Sequence, residues 1–120
     1  MKSPQKSPKS TLGLFVTGTD TGVGKTCVAA AIACTLVQAG MKVGVYKPAA
    51  SGCQRMGNRL ASEDAAILWE AAGRPGTLSR VCPQLFAAPL APHLAAQAEG
   101  KQLDEKLLQT GIEYWLERSD

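Results

Sequence analysis

A glycine-rich stretch, Thr17-Gly18-Thr19-Asp20-Thr21-Gly22-Val23-Gly24-Lys25-Thr26, lies between two apolar segments of different character. Ahead of it, Leu12-Gly13-Leu14-Phe15-Val16 reads as a short buried strand. Behind it, Cys27 to Val37 is a run of small and aliphatic residues that reads as a helix. Strand, glycine loop and Lys-Thr opening a helix form the context in which such a loop binds phosphate. The glycines let the backbone wrap an anion with its N–H groups turned inward, and the helix N-terminus adds a favourable dipole. In that reading Lys25 reaches the terminal phosphates and the Thr26 hydroxyl sits on Mg²⁺. The first glycine is Gly18, so the loop is one residue longer than the common pattern. A dinucleotide fingerprint fits worse, because Gly22-Val23-Gly24 is followed by Lys25-Thr26-Cys27 without a third glycine. A strand-to-helix turn that carries a lysine by chance is the bland alternative, and the register of all three pieces argues against it.

The chain has 120 residues, enough for one domain with a real core. Its net charge of +3 comes from Lys2, Lys6 and Lys9; the rest of the chain is neutral, so its charge points to neither nucleic acid nor membrane. Residues 1–11 form a basic tail that repeats Lys-Ser-Pro and is expected to be disordered, because it has too little apolar surface to offset its ordering entropy. The apolar run after it is too short for a secretory signal, and nothing reaches the length of a membrane span. Cys27, Cys34, Cys53 and Cys82 show no metal-ligand spacing; Cys27 and Cys34 suit one packed helix face, as small thiols of a reducing cytoplasm.

The first helix is expected to stop at Gly40, and Lys42-Val43-Gly44-Val45-Tyr46 to form a second strand, parallel to the first through a right-handed crossover. Ligands collect beyond the carboxyl ends of such strands, which places Lys47-Pro48-Ala49-Ala50-Ser51-Gly52 near the phosphate loop. Lys47 and Ser51 are positioned there to assist an anionic reaction, although a lysine at a strand end is more often simply solvated. Residues 53–61 are polar, aperiodic and read as a mobile loop. Ser62 caps a helix with Glu63 and Asp64 in its first turn, stopped by Gly73 and Pro75. Asp64 has two readings, helix-start electrostatics or a magnesium contact, and spacing does not choose between them. Val81–Phe86 reads as a short edge strand, with Pro83 arguing against a central one. Pro92 starts a helix that runs to Glu99, with the single histidine, His93, read as structural. Asp104 caps a last helix that carries Leu107, Leu108, Ile112, Trp115 and Leu116 on one side.

Gly18 to Thr26, Tyr46-Lys-Pro-Ala-Ala-Ser-Gly52, Ser62-Glu-Asp-Ala65 and Pro89-Leu-Ala-Pro-His93, in that order, resemble the motifs of the dethiobiotin synthetase family over roughly residues 12–118. The resemblance implies an α/β, P-loop nucleotide-binding fold with a parallel sheet flanked by helices, incomplete in this chain. It implies ATP-dependent ring closure of 7,8-diaminononanoate with CO₂ through a carbamate and its phosphorylated form. It assigns phosphate binding to Thr21, Gly22, Val23, Gly24, Lys25 and Thr26, with Lys25 also catalytic. It assigns Mg²⁺ to Thr26 and Asp64, neutralisation of the carbamate and transferring phosphoryl group to Lys47, and substrate contacts to Ser51 and Thr21. It further implies a cytoplasmic homodimer. Family members run to close to double this length and continue into a strand ending Val-Glu-Gly-Ala-Gly-Gly, which this sequence lacks, so the chain is expected to be the amino-terminal half of such an enzyme. Two other functions fit the loop alone. An amidotransferase-type cobyric acid synthase is disfavoured by Lys47-Pro-Ala-Ala-Ser-Gly52 and Pro92-His93. A non-enzymatic nucleotide-binding or dimerising module, like the partitioning ATPases that switch partners on ATP, is disfavoured because Thr19, Asp20 and Thr21 stand where those proteins place an additional lysine.

Overall fold

The computed structural model describes residues 11–16 and 24–120; the Lys-Ser-Pro tail and residues 17–23 of the glycine loop lie outside the described residues. The element order is α1 (Lys25–Gln38), β1 (Ala49–Ala50), β2 (Gln54–Met56), β3 (Arg59–Ala61), α2 (Glu63–Ala71), α3 (Leu78–Val81), β4 (Gln84–Leu85), α4 (Pro92–Ala98) and α5 (Glu105–Arg118). β1 and β4 pair in parallel, Ala49 with Gln84 and Ala50 with Leu85. β2 and β3 form an antiparallel hairpin. The architecture is α/β.

α2 and α5 each start at a side-chain cap. Ser62 Oγ accepts from the Ala65 N–H at 3.1 Å, and Asp104 Oδ1 accepts from the Leu107 N–H at 3.0 Å. Each satisfies an N–H that the first turn of a helix otherwise leaves without a partner. Gly40 and Gly73 both take φ +86°, the left-handed conformation that ends a helix. α1 packs against α2, and α2 against α3.

The core lies between the β1–β4 pair and α5. Ala50, Ala65, Val81, Cys82 and Trp115 are buried together, with Val45, Tyr46, Cys53, Trp69, Leu85 and Tyr114 packed around them. A second cluster, Phe86, Ala95 and Ala96, seats α4 against the far end of the pair. Gln84 is buried without cost, because its amide donates to Asp104 O at 3.1 Å and accepts from Asp104 N at 2.9 Å. This double bond ties β4 to the start of α5.

Several expectations fail for identifiable reasons. Residues 12–16 form no strand; Leu12, Leu14 and Phe15 are 80%, 73% and 91% exposed, and among the described residues their backbone contact is one 3.3 Å bond from Leu12 N to Asp120 O. A strand needs a ladder on at least one side, and among the described residues this segment has none. Residues 42–46 form no strand either: among the described residues no ladder partner lies alongside them, and α5 with the two residues after it packs against them. Trp115 and Ser119 crowd Gly44, Tyr46 donates to Leu108 O at 2.9 Å, and Asp120 N donates to Lys42 O at 2.9 Å. The expected parallel pairing of 12–16 with 42–46 is therefore replaced by β1 with β4.

Residues 53–61 are not a loop but mostly a hairpin, turned by Gly57-Asn58 with Gly57 at φ +65°, the positive φ that two-residue hairpin turns require. The expected edge strand at 81–86 shrinks to Gln84–Leu85, since Leu78–Val81 closes as a helical turn and Pro83 cannot donate to a ladder. Cys27 and Cys34 are exposed rather than packed. On α5 the inward line is Leu108, Gly111 and Trp115, while Leu107, Ile112 and Leu116 remain exposed.

Candidate functional site

Gly24 opens α1 at φ +82°, and its carbonyl accepts from the Val28 N–H at 3.1 Å. Lys25 and Thr26 are therefore the first two helical residues, where N–H groups and the helix dipole favour an anion. Thr21, Gly22 and Val23 lie outside the described residues.

Lys47 stands in a different place from the one expected. It is not in a loop beyond a strand; it belongs to an extended run that continues into β1 and is bonded along its length to residues 81–88. Lys47 N donates to Val81 O at 2.8 Å, Phe86 N to Ala50 O at 2.8 Å, Gly52 N to Ala88 O at 3.0 Å, and Cys53 N to Phe86 O at 3.0 Å. This ladder fixes Lys47 at one end of the segment and Ser51 at the other. Gly52 takes φ +62°, with Pro89 Cα only 3.6 Å from where a side chain would begin.

The Lys47 ammonium lies 4.0 Å from Asp64 Oδ2 in the first turn of α2, with the two side chains 34% and 50% exposed. A pair at that distance and exposure is weak, so it leaves both groups free to engage another charge. Burial pushes the Cys82 thiol up to about 12, against a smaller opposing pull from Lys47. Burial likewise raises the Cys53 thiol, with the Phe86 hydrogen bond and Lys47 pulling the other way. Neither cysteine is a thiolate near neutrality, which makes both of them core residues rather than nucleophiles.

Across the ladder, Glu99 at the end of α4 turns back on the segment after β4. Its Oε2 accepts from Ala87 N at 2.8 Å and Ala88 N at 3.0 Å. Those bonds, with Ala88 first, hold its carboxyl below the ordinary 4.5. Lys101 lies 3.8 Å from its other oxygen. Glu99 was readable from sequence only as a helix end. Its one available signal is a carboxylate at a helix C-terminus, where the dipole disfavours it.

Among the described residues no three His, Cys, Asp or Glu side chains converge as a metal site. An open hollow along α2, lined by Glu63, Ala66, Ile67, Glu70 and Ala71, includes none of the candidate residues. No helix among the described residues is long and apolar enough to cross a membrane. His93 is exposed in the first turn of α4.

The family model of an AAA domain matches residues 12–117. The chain belongs to that family. It is 49% identical to the ATP-dependent dethiobiotin synthetase of Rhodopirellula baltica over 102 residues, 84% of this chain and 40% of the relative. It is 50% identical to that of Anaeromyxobacter dehalogenans over 93 residues, 76% of this chain and 39% of the relative. It is 40% identical to that of Bacillus licheniformis over 111 residues, 90% of this chain and 43% of the relative. The dethiobiotin synthetase resemblance read from the motifs thus extends along most of the chain, and the chain spans about two fifths of the length of these curated relatives.

Proposed function

We propose that this chain carries the phosphate- and carbamate-handling part of an ATP-dependent dethiobiotin synthetase. The observation that supports this most is the placement of the Lys47 ammonium beside Asp64 at 4.0 Å, on a segment clamped from Val81 to Ala88, in a chain 49% identical to one such enzyme. In the reaction, one amine of 7,8-diaminononanoate takes up CO₂ and loses a proton to give a carbamate. A carbamate oxygen attacks the γ-phosphorus of ATP, and ADP leaves with the bridging oxygen. The second amine attacks the carbamoyl carbon, the carbon–oxygen bond to phosphate breaks, and the ring closes as a cyclic urea with release of a proton.

Each step gathers or moves negative charge, and positioning with charge stabilisation is what such chemistry needs from a protein. Lys25 at the start of α1 binds the terminal phosphates of ATP, with Thr21, Gly22, Val23 and Gly24 supplying backbone N–H groups. Lys47 binds the carbamate and follows its charge onto the transferring phosphoryl group. Ser51 and Thr21 hydrogen-bond the substrate.

Thr26 and Asp64 offer a hydroxyl and an accessible carboxylate, hard oxygen donors of the kind Mg²⁺ takes alongside water and substrate phosphates. They fit that ion and would hold it, and Mg²⁺ when bound supplies neutralisation of the phosphate charge. The enzyme is proposed to work as a cytoplasmic homodimer.

The test is dethiobiotin formation from 7,8-diaminononanoate, bicarbonate, ATP and Mg²⁺. Turnover is expected to depend on all four and to fall by at least ~10²-fold in Lys25→Ala and in Lys47→Ala, the scale of losing one transition-state charge contact. Near-normal turnover in either variant would sink the site assignment.

A further inference from the structure

We propose that Glu99 is a positioning residue that holds the Ser51–Gly52 turn in its substrate-binding shape through the backbone of residues 86–88. The inference rests on the functional reading above and adds to it a residue far from Ser51 in sequence.

The connection is a short chain of hydrogen bonds. One oxygen of Glu99 accepts from two successive amides, Ala87 N at 2.8 Å and Ala88 N at 3.0 Å. Successive N–H groups pointing at one oxygen form an anion-binding nest, and here the anion belongs to the protein itself. The same residue, Ala88, turns its carbonyl to Gly52 N at 3.0 Å and Leu90 N at 2.9 Å. Phe86 donates to Ala50 O at 2.8 Å and accepts from Cys53 N at 3.0 Å. Ser51 is thus flanked on both sides by residues bonded to 86–88, and Glu99 fixes the end of that segment nearest Gly52.

The local energetics favour this role over a helical one. Glu99 is the C-terminal cap of α4, where a carboxylate opposes the helix dipole, so α4 gains nothing from it there. What it gains are two charge-assisted bonds to the 87–88 amides, stronger than neutral ones. Lys101, 3.8 Å away, offsets part of its charge. Gly52 needs the help, because with its φ of +62° nothing in its own side chain restricts it.

The experiment uses the full chain with Glu99→Ala and Glu99→Gln, following amide hydrogen exchange and the affinity for 7,8-diaminononanoate. Glu99→Ala is expected to speed exchange at Gly52 and Cys53 at least tenfold while Ala65 and Leu107, at the starts of α2 and α5, stay unchanged. It should weaken diaminononanoate about tenfold, the loss of one charge-assisted contact, with ATP affinity moved less than twofold. Glu99→Gln keeps an oxygen for the nest and should restore most of both. Unchanged exchange at Gly52 in Glu99→Ala overturns the proposal, as does a loss of protection spread evenly over α2 and α5 in both variants. A wild-type chain that fails to bind diaminononanoate overturns the functional reading and the substrate part of this one, while exchange at Gly52 still decides whether Glu99 holds the turn.

Discussion

A methyl group on Gly111 would have nowhere to go. It would collide with the Tyr46 hydroxyl and lie 2.7 Å from Tyr46 Cζ and 2.9 Å from Cε1. The phenol cannot retreat freely, because it donates to Leu108 O at 2.9 Å. Gly111→Ala is expected to cost about 1–3 kcal/mol, the scale of overpacking a core; urea unfolding measures it, and a neutral result would mean that α5 shifts more easily than its contacts suggest. Glu99 gives a residue-scale pH effect. Its carboxyl is held below the ordinary 4.5, first by the Ala88 N–H, so its contribution is present above that pH and is lost as pH falls through the lower folded value. Glu99→Gln should flatten the acid limb of the stability profile below about pH 4.5; an unchanged limb would show that these bonds do not differ between folded and unfolded chain.

Helix starts carry the predictions at the scale of elements. Ser62 and Asp104 each satisfy an N–H of the first turn, at 3.1 and 3.0 Å. Ser62→Ala and Asp104→Ala should each cost about 1 kcal/mol. Asp104 has a second tie, since its backbone pairs with the buried Gln84 amide, but that tie does not use the side chain. Thermal unfolding of the two variants should therefore show similar losses, and a much larger loss for Asp104→Ala would mean that the cap also sets the Gln84 geometry. The β2–β3 hairpin makes no comparable demand, with Gln54, Arg55 and Met56 all exposed.

Trp115 ties α5 to the core. Its ring is buried against the β1–β4 core, its indole N–H donates to Arg80 O at 2.9 Å, and Tyr114 meets it edge-on at 5.0 Å. Around it, Asp120 bonds Lys42 and Thr11 Oγ1 donates to Leu116 O at 2.9 Å. Trp115→Ala should cost about 3–5 kcal/mol, a large part of the stability of a domain this size; calorimetry that finds the transition little changed would refute the central role given to α5. The buried Cys82 supplies a global alkaline effect. With its thiol pushed up to about 12 by burial, from an ordinary 9.0, folding is favoured below pH 9 and loses that contribution progressively as pH rises towards 12. A thiol reagent at neutral pH should label exposed Cys27 and Cys34 quickly and Cys82 only on unfolding. Rapid labelling of Cys82 in the native protein would contradict its burial.

Local chemistry wrote much of this molecule in the sequence: the caps at Ser62 and Asp104, the glycine stops at Gly40 and Gly73, the Pro92 helix start, and the Gly-Lys-Thr opening of α1 act over a few residues and need no distant partner. The Gly57-Asn58 turn was equally local and readable, but the polar residues around it concealed the hairpin. What only the tertiary structure decided is where the sheet forms. Apolar content marked 12–16 and 42–46 as strands, yet a strand exists only where a ladder partner lies alongside; among the described residues neither segment has one, and the ladder closes instead between Ala49–Ala50 and Gln84–Leu85. The same holds for the site. Lys47, Ser51 and Asp64 were legible as residue types in a motif, whereas the 4.0 Å approach of Lys47 to Asp64 and the Glu99 clamp on 87–88 depend on long-range packing, which no local pattern encodes.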